Sequence, residues 1–570
     1  MSTVPRALDQ VTLTVIDNAI GTVCMEMAAA MRRTAYSPIF NEGLDFTCVM
    51  FDRHGELVGQ AEMNPALIAP GFFGMRWLLE EVGAETLEPG DVVVMNDPYR
   101  GCAHLPEHTL VRPIFDGGVL LGFAGVVAHV SEIGGMAVGS FAADAVDVFQ
   151  EGLRLPPVHL MRRGEYVRDI WRILLTNHRT PDTSWGDFHA MLGALHTGER
   201  RMVSLIGRYG ADLFQDATRE LCDHAERWVR SRLRDLPDGT FRFEDQMDDD
   251  GTDAGPVRFR VAVTISGDEA TVDYTGTDPQ ARGPVNTTYV VAASAAYNAL
   301  FQLIGPHVPR NGGTYRPITI IAPPGSAANV SYPGPSVGGQ TETQPRLLDM
   351  IQGGALSQVL PERVAAAGGG SSCNFLFGGV HPETGDYYAH YHFEGIGWGG
   401  RAATDGNESQ CVPHGNCQNT PVEILETRYP MLHEALAIHE GSAGPGRNRG
   451  GFGYARQFRV VSDEMRISCF IEKEHVQPWG LFGGGPGRNS AMLVARDGEA
   501  FRPFSDAFGT ACNGKFSDVY LRRGDRVRVV TSGGGGYGDP LERDLERIAE
   551  DVRQGFIAAE QVAAEYGVVF

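Results

Sequence analysis

Glycine is the residue that most constrains how this chain can fold, because 72 of its 570 residues are glycines. A glycine has no Cβ, so it adopts left-handed backbone angles and lets two stretches of backbone approach closely. Glycine at this frequency predicts many tight turns and therefore much β-structure. The region from about 320 to 540 shows this most clearly, since short strand-like runs there are separated by Gly and Pro.

Periodic apolar residues predict the regular elements of the chain. Spacing of three and four residues predicts helices, and alternation of apolar and polar residues predicts strands. We therefore predict a helix over 8–35, a hairpin over 45–60, strands over 90–130, a long helical stretch over 186–234, a β-hairpin or meander over 240–275, a buried helix over 287–304 and closing helices from Leu541 to Tyr566.

Charge, hydropathy and cysteine usage exclude several classes of protein. The formal net charge of -23 argues against nucleic acid and anionic membranes as partners. No apolar run of about 18 residues occurs, so we expect no membrane span. The N-terminus lacks the basic and long apolar regions of a signal peptide. The nine cysteines are scattered and form no C-x-x-C pair, which predicts free thiols in the cytoplasm.

One motif carries the candidate chemistry. The segment 96–107, NDPYRGCAHLPE, is followed after an apolar run by His129. Together the segment and His129 supply two imidazoles and a carboxylate, from His104, Glu107 and His129, that can converge on one metal ion. Positions three apart face opposite sides of a flat strand, so we place His104 and Glu107 on a loop after a strand. The alternative is that both histidines are ordinary core or turn residues.

Several residues near this motif are secondary candidates. Glu132 and His108 are candidates for acid/base catalysis, with a hydrogen-bonded loop carboxylate as the alternative for Glu132. Asp97 lies in an Asn-Asp-Pro turn, and turn formation is favoured over a role in catalysis. Glu151 could neutralise a cation or cap a helix. Cys102 could be a soft ligand, although a buried filler is the favoured interpretation.

The Gly-rich half holds candidates for substrate binding. In GWGGRAATDGN the backbone can approach a ligand, and Arg401 could grip a carboxylate or phosphate with two hydrogen bonds. The alternative is an internal Arg–Asp pair that braces the glycine turns. The segments SGGGGYGDP and FGGGPG do not match GxxxxGK[ST], so we expect no nucleotide site in this chain. The candidate residues of this half are Arg346, Glu394, Arg401, Asp405 and Asn416.

These predictions combine into an α+β fold of several lobes. A chain of 570 residues is too long for one compact core, and the turn signal Pro237-Asp238-Gly239 marks the first boundary. We expect a β-rich, Gly- and Pro-rich body with long flanking helices. The predicted units are an N-terminal α/β domain with the metal site (1–238), a β-meander plus helix (239–330), a Gly-rich, β-rich domain (331–540) and a C-terminal helical tail (541–570).

Motifs in the same order along nearly the whole chain resemble the B-subunit family of ATP-dependent hydantoinases and 5-oxoprolinases, which includes subunits of ketone carboxylases. The resemblance rests on several short stretches taken together. They are NEGLDFTCVMFD, VVVMNDPYRGCAHLPEHTLVRPIF, VVAHVSEIGGMAVGS, EGLRLPPV, VPRNGGTYRPITI, GQTETQPR, EGIGWGGRAATDGN, NTPVEILETRYP, GPGRNRGGFG, QPWGLFGGGPG and TSGGGGYGDP.

The resemblance implies a division of labour between two subunits. An A-type subunit binds ATP and phosphorylates the substrate's carbonyl or amide oxygen, and the B-type subunit carries a divalent metal, zinc or manganese or iron, and completes the reaction. The family's metal ligands correspond to Asp45, His104, Glu107 and His129. Glu107 departs from the usual Asp and is one methylene longer. Val130 and Glu132 also depart from the family pattern, which often has His and Asp there.

Three hypotheses follow for the activity. The first is the B-type subunit of an ATP-dependent cyclic amide hydrolase acting on a hydantoin, 5-oxoproline or a lactam, with the metal activating a water. The second is a subunit of an acetone- or acetophenone-type ketone carboxylase. The third is a non-catalytic scaffold for an A-type subunit. For the first hypothesis we expect a cytoplasmic α2β2 hetero-oligomer, with Glu132, His108 and Asp97 in catalysis and Arg401, Asp405 and Glu394 at the substrate.

Overall fold

The computed structural model describes residues 8–61, 63–252 and 255–569, and its N-terminal part is built on one large sheet. The strands of this sheet are β1 (Phe46–Asp52), β2 (Leu57–Gln60), β3 (Val92–Met95), β4 (Glu107–Asp116), β5 (Val119–His129), β6 (Val158–Arg162) and β7 (Glu165–Tyr166). They lie in the order β2-β1-β5-β4-β3-β6-β7, and each neighbouring pair is antiparallel. The predicted hairpin over 45–60 and the strands over 90–130 are confirmed.

Helices cover both faces of this sheet, which is why its central strands are apolar on both sides. The helices of this half are α1 (Gln10–Thr34), α2 (Pro38–Asn41), α3 (Ile68–Glu81), α4 (Arg168–Asn177), α5 (Pro181–Tyr209) and α6 (Ala211–Arg234). Side chains of α1 and α5 share one apolar cluster with the sheet, and side chains of α3 form a second cluster on the opposite face. Gly198 lets α5 approach closely, because a Cβ there would lie 2.6 Å from Met27 Sδ.

The predicted helical stretch over 186–234 is two helices rather than one. Gly210 ends α5 with a φ of 87°, a left-handed value that glycine adopts without strain. The helix α6 begins at the next residue and carries its own buried apolar face, including Phe214 and Val229. The apolar spacing therefore continues across the break, although the helical conformation is interrupted at Gly210.

The first helix is confirmed and is a core helix by its packing. Asp9 caps it by accepting a hydrogen bond from Thr12 N at 2.9 Å. Its buried stripe includes Ile16, Ile20, Val23 and Met27, at steps of four, three and four residues. Among the described residues, α1 is the one helix whose length and composition would allow it to cross a membrane. Buried core helices of the same length are often equally apolar. The buried stripe of α1 packs against α5 and the sheet.

A second sheet and a buried helix follow. The sheet contains β8 (Gly239–Gln246), β9 (Arg258–Ser266), β10 (Glu269–Asp273) and β11 (Ile318–Ile321), in the order β11-β10-β9-β8. The β8–β10 part is an antiparallel meander, as predicted. The helix α7 (Tyr289–Ile304) is almost entirely buried and is capped by Thr288, which confirms the buried helix predicted over 287–304.

A buried helical segment that periodicity did not predict connects the two halves. A π-helical turn (Gly339–Thr343) leads into α8 (Gln344–Asp349), and a second π-helical stretch (Met350–Ala355) follows. A Cβ on Gly339 would collide with the Asn286 carbonyl oxygen, so only glycine lets the segment pass this close. Burial on all sides removes the amphipathic signal by which a surface helix is recognised.

The C-terminal half contains two more sheets and short helices. One sheet has the order β13-β12-β16-β19, with β12 (Asn374–Val380), β13 (Tyr387–His392), β16 (Glu464–Phe470) and β19 (Lys515–Arg522). The other has the order β14-β15-β20-β17-β18, with β14 (Met431–Ile438), β15 (Tyr454–Val460), β17 (Ala491–Ala495), β18 (Arg502–Pro503) and β20 (Arg526–Val530). The helices are α9 (Val422–Arg428), α10 (Phe504–Phe508), α11 (Leu545–Arg553) and α12 (Ala559–Tyr566), and the last two confirm the predicted closing helices.

Four glycine strips, residues 397–400, 444–451, 480–487 and 533–538, interlock backbone against backbone. Gly400 N donates to Gly535 O at 2.8 Å, and Gly444 N donates to Gly534 O at 2.8 Å. A Cβ on Gly534 would collide with the Trp398 carbonyl oxygen. The glycine-rich composition therefore reflects close backbone approach as well as turns.

The α+β class, with several sheets and flanking helices, is confirmed. The largest apolar cluster runs from Leu13 to Phe470, so it includes residues from three of the four predicted units. The proposed unit boundaries stay a prediction.

Candidate functional site

The register of three neighbouring strands brings Asp45, His129 and Glu107 together at one end of the first sheet. His129 is paired with Glu107 across β4 and β5, and Phe46 is paired with Ala128 across β1 and β5. Asp45, immediately before β1, accepts a hydrogen bond from His129 N through its carbonyl oxygen at 3.1 Å. Directly opposed residues project from the same face of a sheet. These three residues are thus neighbours on one face.

His104 reaches this group from the turn between β3 and β4. Its ring centroid lies 4.9 Å from that of His129, and both rings are buried. His104 Nδ1 lies 2.9 Å from the Val337 carbonyl oxygen. A carbonyl oxygen can only accept a hydrogen bond, so Nδ1 carries the proton and donates the bond, which leaves Nε2 with a free lone pair. His104 lies on a loop as predicted, whereas Glu107 is already the first residue of β4.

Four donor atoms in this group are buried without a hydrogen-bond partner. They are His104 Nε2, both ring nitrogens of His129 and Glu107 Oε2. Leaving such atoms unpaired costs about 1–3 kcal/mol each, so a water or cation at this position would be stabilised. Nitrogen and carboxylate donors fit a borderline or hard divalent ion. Within the described ranges, however, no three His, Cys, Asp or Glu side chains already stand in a metal-binding arrangement.

Burial sets the protonation of these side chains in the absence of a cation. Desolvation lowers the pKa of His104 to about 4 and holds the pKa of His129 well below its usual value. Desolvation raises the pKa of Asp45 to about 6 and, with the nearby Asp45 charge, raises the pKa of Glu107 well above its usual value. The environment therefore disfavours unpaired charge of either sign. A bound divalent cation would reverse this preference for the carboxyl groups.

Polar neighbours hold the carboxyl groups in position. Glu107 Oε1 accepts a hydrogen bond from Ala103 N at 3.1 Å, and the Gln340 side chain lies near this carboxyl group. Asp45 Oδ1 accepts from Asn64 Nδ2 at 2.7 Å. Sequence reasoning did not single out Asn64 or Gln340 as part of the site, although Gln340 lies within a motif that carries the family resemblance.

Glu151 anchors the backbone to which His104 is bonded. Its Oε1 accepts hydrogen bonds from Ser336 N at 2.7 Å and Val337 N at 2.8 Å, and the residue is fully buried. Burial raises the pKa of Glu151 to about 8. The Val337 carbonyl oxygen in turn accepts a hydrogen bond from His104 Nδ1. The structure thus gives Glu151 a positioning role in place of the predicted cap or countercharge.

The predicted acid/base residues have well-defined surroundings. Glu132 accepts hydrogen bonds from Gly134 N and Gly139 N and pairs with Arg179 at 2.9 Å, so its carboxylate is occupied. Burial raises the pKa of Glu132 despite the opposing charge of Arg179. His108 follows Glu107 on β4 and therefore projects from the other face, where its ring contacts Phe188 of α5. Their roles in proton transfer stay a prediction.

Asp97 and Cys102 have local contacts. Asp97 Oδ1 accepts a hydrogen bond from Tyr99 N at 2.9 Å, and its other oxygen lies 3.6 Å from Arg154. Its contacts are thus those of a turn residue. Cys102 is buried, with its sulfur near the Met95 carbonyl and the Thr109 hydroxyl, as expected of a core thiol.

The predicted substrate residues are separated by the structure. Glu394 lines a cavity of about 30 Å³ together with Asp45 and His129, but its buried carboxylate pairs with Arg456 and accepts from Tyr454. Arg401 lies on a different cavity of about 640 Å³, with its guanidinium 5.6 Å from the Trp398 ring centroid.

Asp405 has structural partners rather than an open site. It forms two hydrogen bonds to Arg543, at 2.8 and 3.0 Å, and accepts a third from Arg449 N at 2.9 Å. Asp405 thus braces the closing helices, with Arg543 in place of Arg401 as its main partner. Arg346 is likewise a buried structural residue, since it pairs with Asp245 and Glu472.

Sequence comparison identifies relatives over the full length of the chain. Residues 9–540 match the family described as Hydantoinase B/oxoprolinase. The putative B subunit of a D-/L-hydantoinase from Pseudomonas sp. (strain NS671) is 30% identical over 579 residues, which cover 99% of this chain and 95% of the relative. The beta subunit of the caprolactamase from Pseudomonas jessenii is 31% identical over 577 residues, which cover 99% of this chain and 97% of the relative.

Comparison with solved structures gives the same relationship for the fold. The crystal structure of the ATP-dependent caprolactamase from Pseudomonas jessenii matches with a TM-score of 0.90 at 29% identity, covering 99% of this chain and 97% of that chain. The nucleotide-free structure of acetone carboxylase matches with a TM-score of 0.90 at 19% identity, covering 99% of this chain and 80% of that chain. At the lower identity the likeness concerns the fold alone.

Proposed function

The chain belongs to the hydantoinase B/oxoprolinase family, and from this premise we propose that it is the metal-bearing B-type subunit of an ATP-dependent cyclic amide hydrolase. Its relatives are named as subunits of a hydantoinase and of a caprolactamase, which supports a cyclic amide as the substrate. In this proposal an A-type subunit uses ATP to phosphorylate the amide oxygen. The present chain then completes the opening of the ring.

The alignment of Asp45, His129 and Glu107 on neighbouring strands, with His104 beside them, is the observation that carries this proposal. Residues held by sheet register keep their spacing, because hydrogen bonds between strands fix the backbone on either side. Four unpartnered buried donor atoms on these side chains support a ligand at this position.

We infer that Asp45, His104, Glu107 and His129 hold one divalent ion, either zinc, manganese or iron. Such an ion, when bound, would supply a Lewis acid and a water of lowered pKa. His104 is prepared to ligate, because Val337 holds the Nδ1 proton and leaves Nε2 free. Glu107 is longer than the usual Asp by one methylene. We therefore expect its carboxylate to reach an ion that lies farther from the β4 backbone.

The residues around the site would orient the reactants and exclude water. The site is enclosed by Tyr391, whose ring stacks on His129 at a centroid distance of 4.4 Å, and by Phe141. Apolar rings strengthen the electrostatic interactions within such a site by excluding solvent. In this proposal Glu132, His108 and Asp97 are the candidates to move protons, and Arg401 binds an anionic group of a ligand in the larger cavity.

We propose a cytoplasmic hetero-oligomer with an A-type partner, such as α2β2. The partner would bind ATP, and this chain would bind the metal and the cyclic amide. Purified alone, the chain is therefore expected to show no ATPase activity, and ATP turnover by the isolated chain would contradict the division of labour.

The decisive experiment combines the chain with a co-expressed A-type subunit, ATP and a panel of substrates. The panel contains a hydantoin, 5-oxoproline, a lactam and, with bicarbonate, a ketone. Ring opening that depends on ATP supports the proposal. Carboxylation of the ketone would instead support the second hypothesis, a ketone carboxylase subunit. The ketone is included because acetone carboxylase shares this fold. If mutation of the site abolishes neither reaction, only the scaffold hypothesis remains.

The variant His104→Ala tests the site within the same complex. We expect it to lose turnover and about one equivalent of metal per chain while circular dichroism shows a folded protein. The matched control is His196→Ala, because His196 is an exposed histidine on α5 and its side chain is 68% exposed. Retention of both activity and metal by His104→Ala would show that the site is misassigned.

A further inference from the structure

Two cysteines, Cys411 and Cys417, share the small cavity with Asp45 and His129. Both are partly exposed, and both belong to the irregular loop between β13 and α9. We propose that Cys411 and Cys417 form a reversible disulfide under oxidising conditions and that this disulfide switches off the adjacent site. The effect on turnover rests on the proposed function, whereas formation of the disulfide does not.

The loop is folded so that its two thiols meet. Gln410 exchanges two backbone hydrogen bonds with Ile396 just before the first cysteine, and Gln418 N donates to Gly43 O at 3.0 Å just after the second. Between them the chain turns at Gly415. A Cβ at this position would lie 2.7 Å from Cys411 Sγ, so glycine is needed for the turn to pass the sulfur.

The two thiols are close neighbours, since both line the same small cavity and each shifts the pKa of the other. A disulfide requires side chains that approach without movement of the flanking backbone. The hydrogen bonds on either side of the pair fix that backbone. The short loop between the cysteines also keeps their effective concentration high.

Cys417 connects the pair to the candidate metal ligands. Its sulfur lies 3.5 Å from Asn64 Nδ2, and the same amide donates to Asp45 Oδ1 at 2.7 Å. Cys417 is also a neighbour of the Asp45 carboxyl group, with which it lines the same cavity. Rotation of Cys417 toward Cys411 would remove these contacts, and Asp45 would lose part of what orients it.

Solvent access distinguishes Cys411 and Cys417 from a second pair of neighbouring cysteines. Cys373 and Cys469 lie near each other but are fully buried in a core cluster. The cavity at Cys411 and Cys417 has a volume of about 30 Å³. Both thiols are also partly exposed, so a small oxidant such as hydrogen peroxide can reach them.

The chemistry balances with hydrogen peroxide as the oxidant. One sulfur attacks the peroxide, an S–O bond forms, the O–O bond breaks, and one water leaves to give a sulfenic acid. The second sulfur then attacks the first, the S–S bond forms, the S–O bond breaks, and a second water leaves. Two thiols lose two electrons and two protons in total, and one peroxide is reduced to two waters. A dithiol reductant restores the pair.

The test treats the complex of the full chain and its A-type subunit with hydrogen peroxide and then alkylates free thiols after denaturation. Both cysteines lie on tryptic peptide 402–428, so the disulfide appears as a peptide lighter by two hydrogens and without alkylation. Turnover is measured on the same samples. We expect it to fall by about 10-fold or more and to return with dithiothreitol.

Three controls make the outcome specific. Cys411→Ser and Cys417→Ser should each prevent the disulfide and the dithiothreitol-reversible loss, whereas Cys512→Ser, which alters a partly exposed cysteine elsewhere, should respond as the unmodified chain does. Cys373 and Cys469 should stay alkylated throughout. Peroxide treatment that leaves peptide 402–428 doubly alkylated would overturn the proposal, as would a disulfide that forms without loss of turnover. A complex inactive before oxidation would overturn the proposed function alone, because the peptide result would still stand.

Discussion

Replacement of Asp405 by Asn should loosen the C-terminal helices and leave substrate binding unaffected. Asp405 forms hydrogen bonds to both terminal nitrogens of Arg543 and to Arg449 N, and Arg547 lies 2.5 Å from its second oxygen. Arg543 and Arg547 adjoin or belong to α11, so Asp405 links the glycine-rich body to that helix. Asn keeps one oxygen, but its amide group would face a guanidinium and repel it.

The size of the effect follows from burial. Removal of one partner from a buried ion pair costs about 3–5 kcal/mol. We expect the lower end, about 3 kcal/mol, because Asp551 stays within 2.8 Å of Arg543 and 3.1 Å of Arg449. The ion pair between Arg547 and Asp405 adds little to this free energy, because the Arg547 side chain is exposed. A tenfold change corresponds to about 1.36 kcal/mol, so amide exchange in α11 and α12 should become about 100-fold faster.

Hydrogen–deuterium exchange read by mass spectrometry measures this directly for peptides that cover α11 and α12. The control is Asp463→Asn, which removes an exposed pair with Arg523 and should not change exchange. The reasoning would be refuted if α11 kept its protection in Asp405→Asn while the KM for substrate rose. Asp405 would then be a ligand contact, as the sequence also allowed.

Other perturbations test separate parts of the structure. Glu151→Ala should lower turnover by about 10- to 100-fold through loss of the Val337 anchor, and Glu151→Gln, which keeps an acceptor, should restore most of it. Gly198→Ala should destabilise the folded protein by about 1–3 kcal/mol in thermal unfolding through collision with Met27, whereas Gly193→Ala, which meets open space on the same helix, should stabilise it by about 0.5–1 kcal/mol. Burial raises the pKa of Asp405, but the hydrogen bonds and charge of Arg543 outweigh it and hold the pKa below its usual value. The stabilisation from Asp405 is therefore present at neutral pH and lost as pH falls below about 4. Below that pH the protection of α11 amides from exchange, corrected for intrinsic exchange rates, should fall in the unmodified chain. It should not fall in Asp405→Asn.

Local signals predicted the elements that are amphipathic and well capped. The helix α1 has a buried stripe and an Asp9 cap, and the β1–β2 hairpin has a clear turn between two apolar runs. Two features lacked such a signal. The break at Gly210 interrupts no apolar pattern, because α5 and α6 each continue it. The segment 339–355 is buried on all sides, so it has no polar face to reveal a helical period.

Part of the candidate site could be predicted because its residues are close along the chain. His104, Glu107 and His129 belong to adjacent strands or to the turn before them, so all three lie within residues 104–129. Asp45 came only from the family resemblance. The anchor between Glu151 and Val337 spans 186 residues, and the bonds from Asp405 to Arg543 span 138. Pairings at such separation depend on the whole fold, and no local pattern in one sequence marks them.

The interlocked glycine strips have a consequence for synthesis on the ribosome. Residues 397–400 and 444–451 bond to 533–538, so amides made early have no partner until the last of these segments emerges. Nascent chains halted before 533 should therefore expose unpaired backbone in their C-terminal half and be cut there by protease. Chains in which 533–538 has emerged from the ribosome should become resistant, since each strip supplies bonds that the others need.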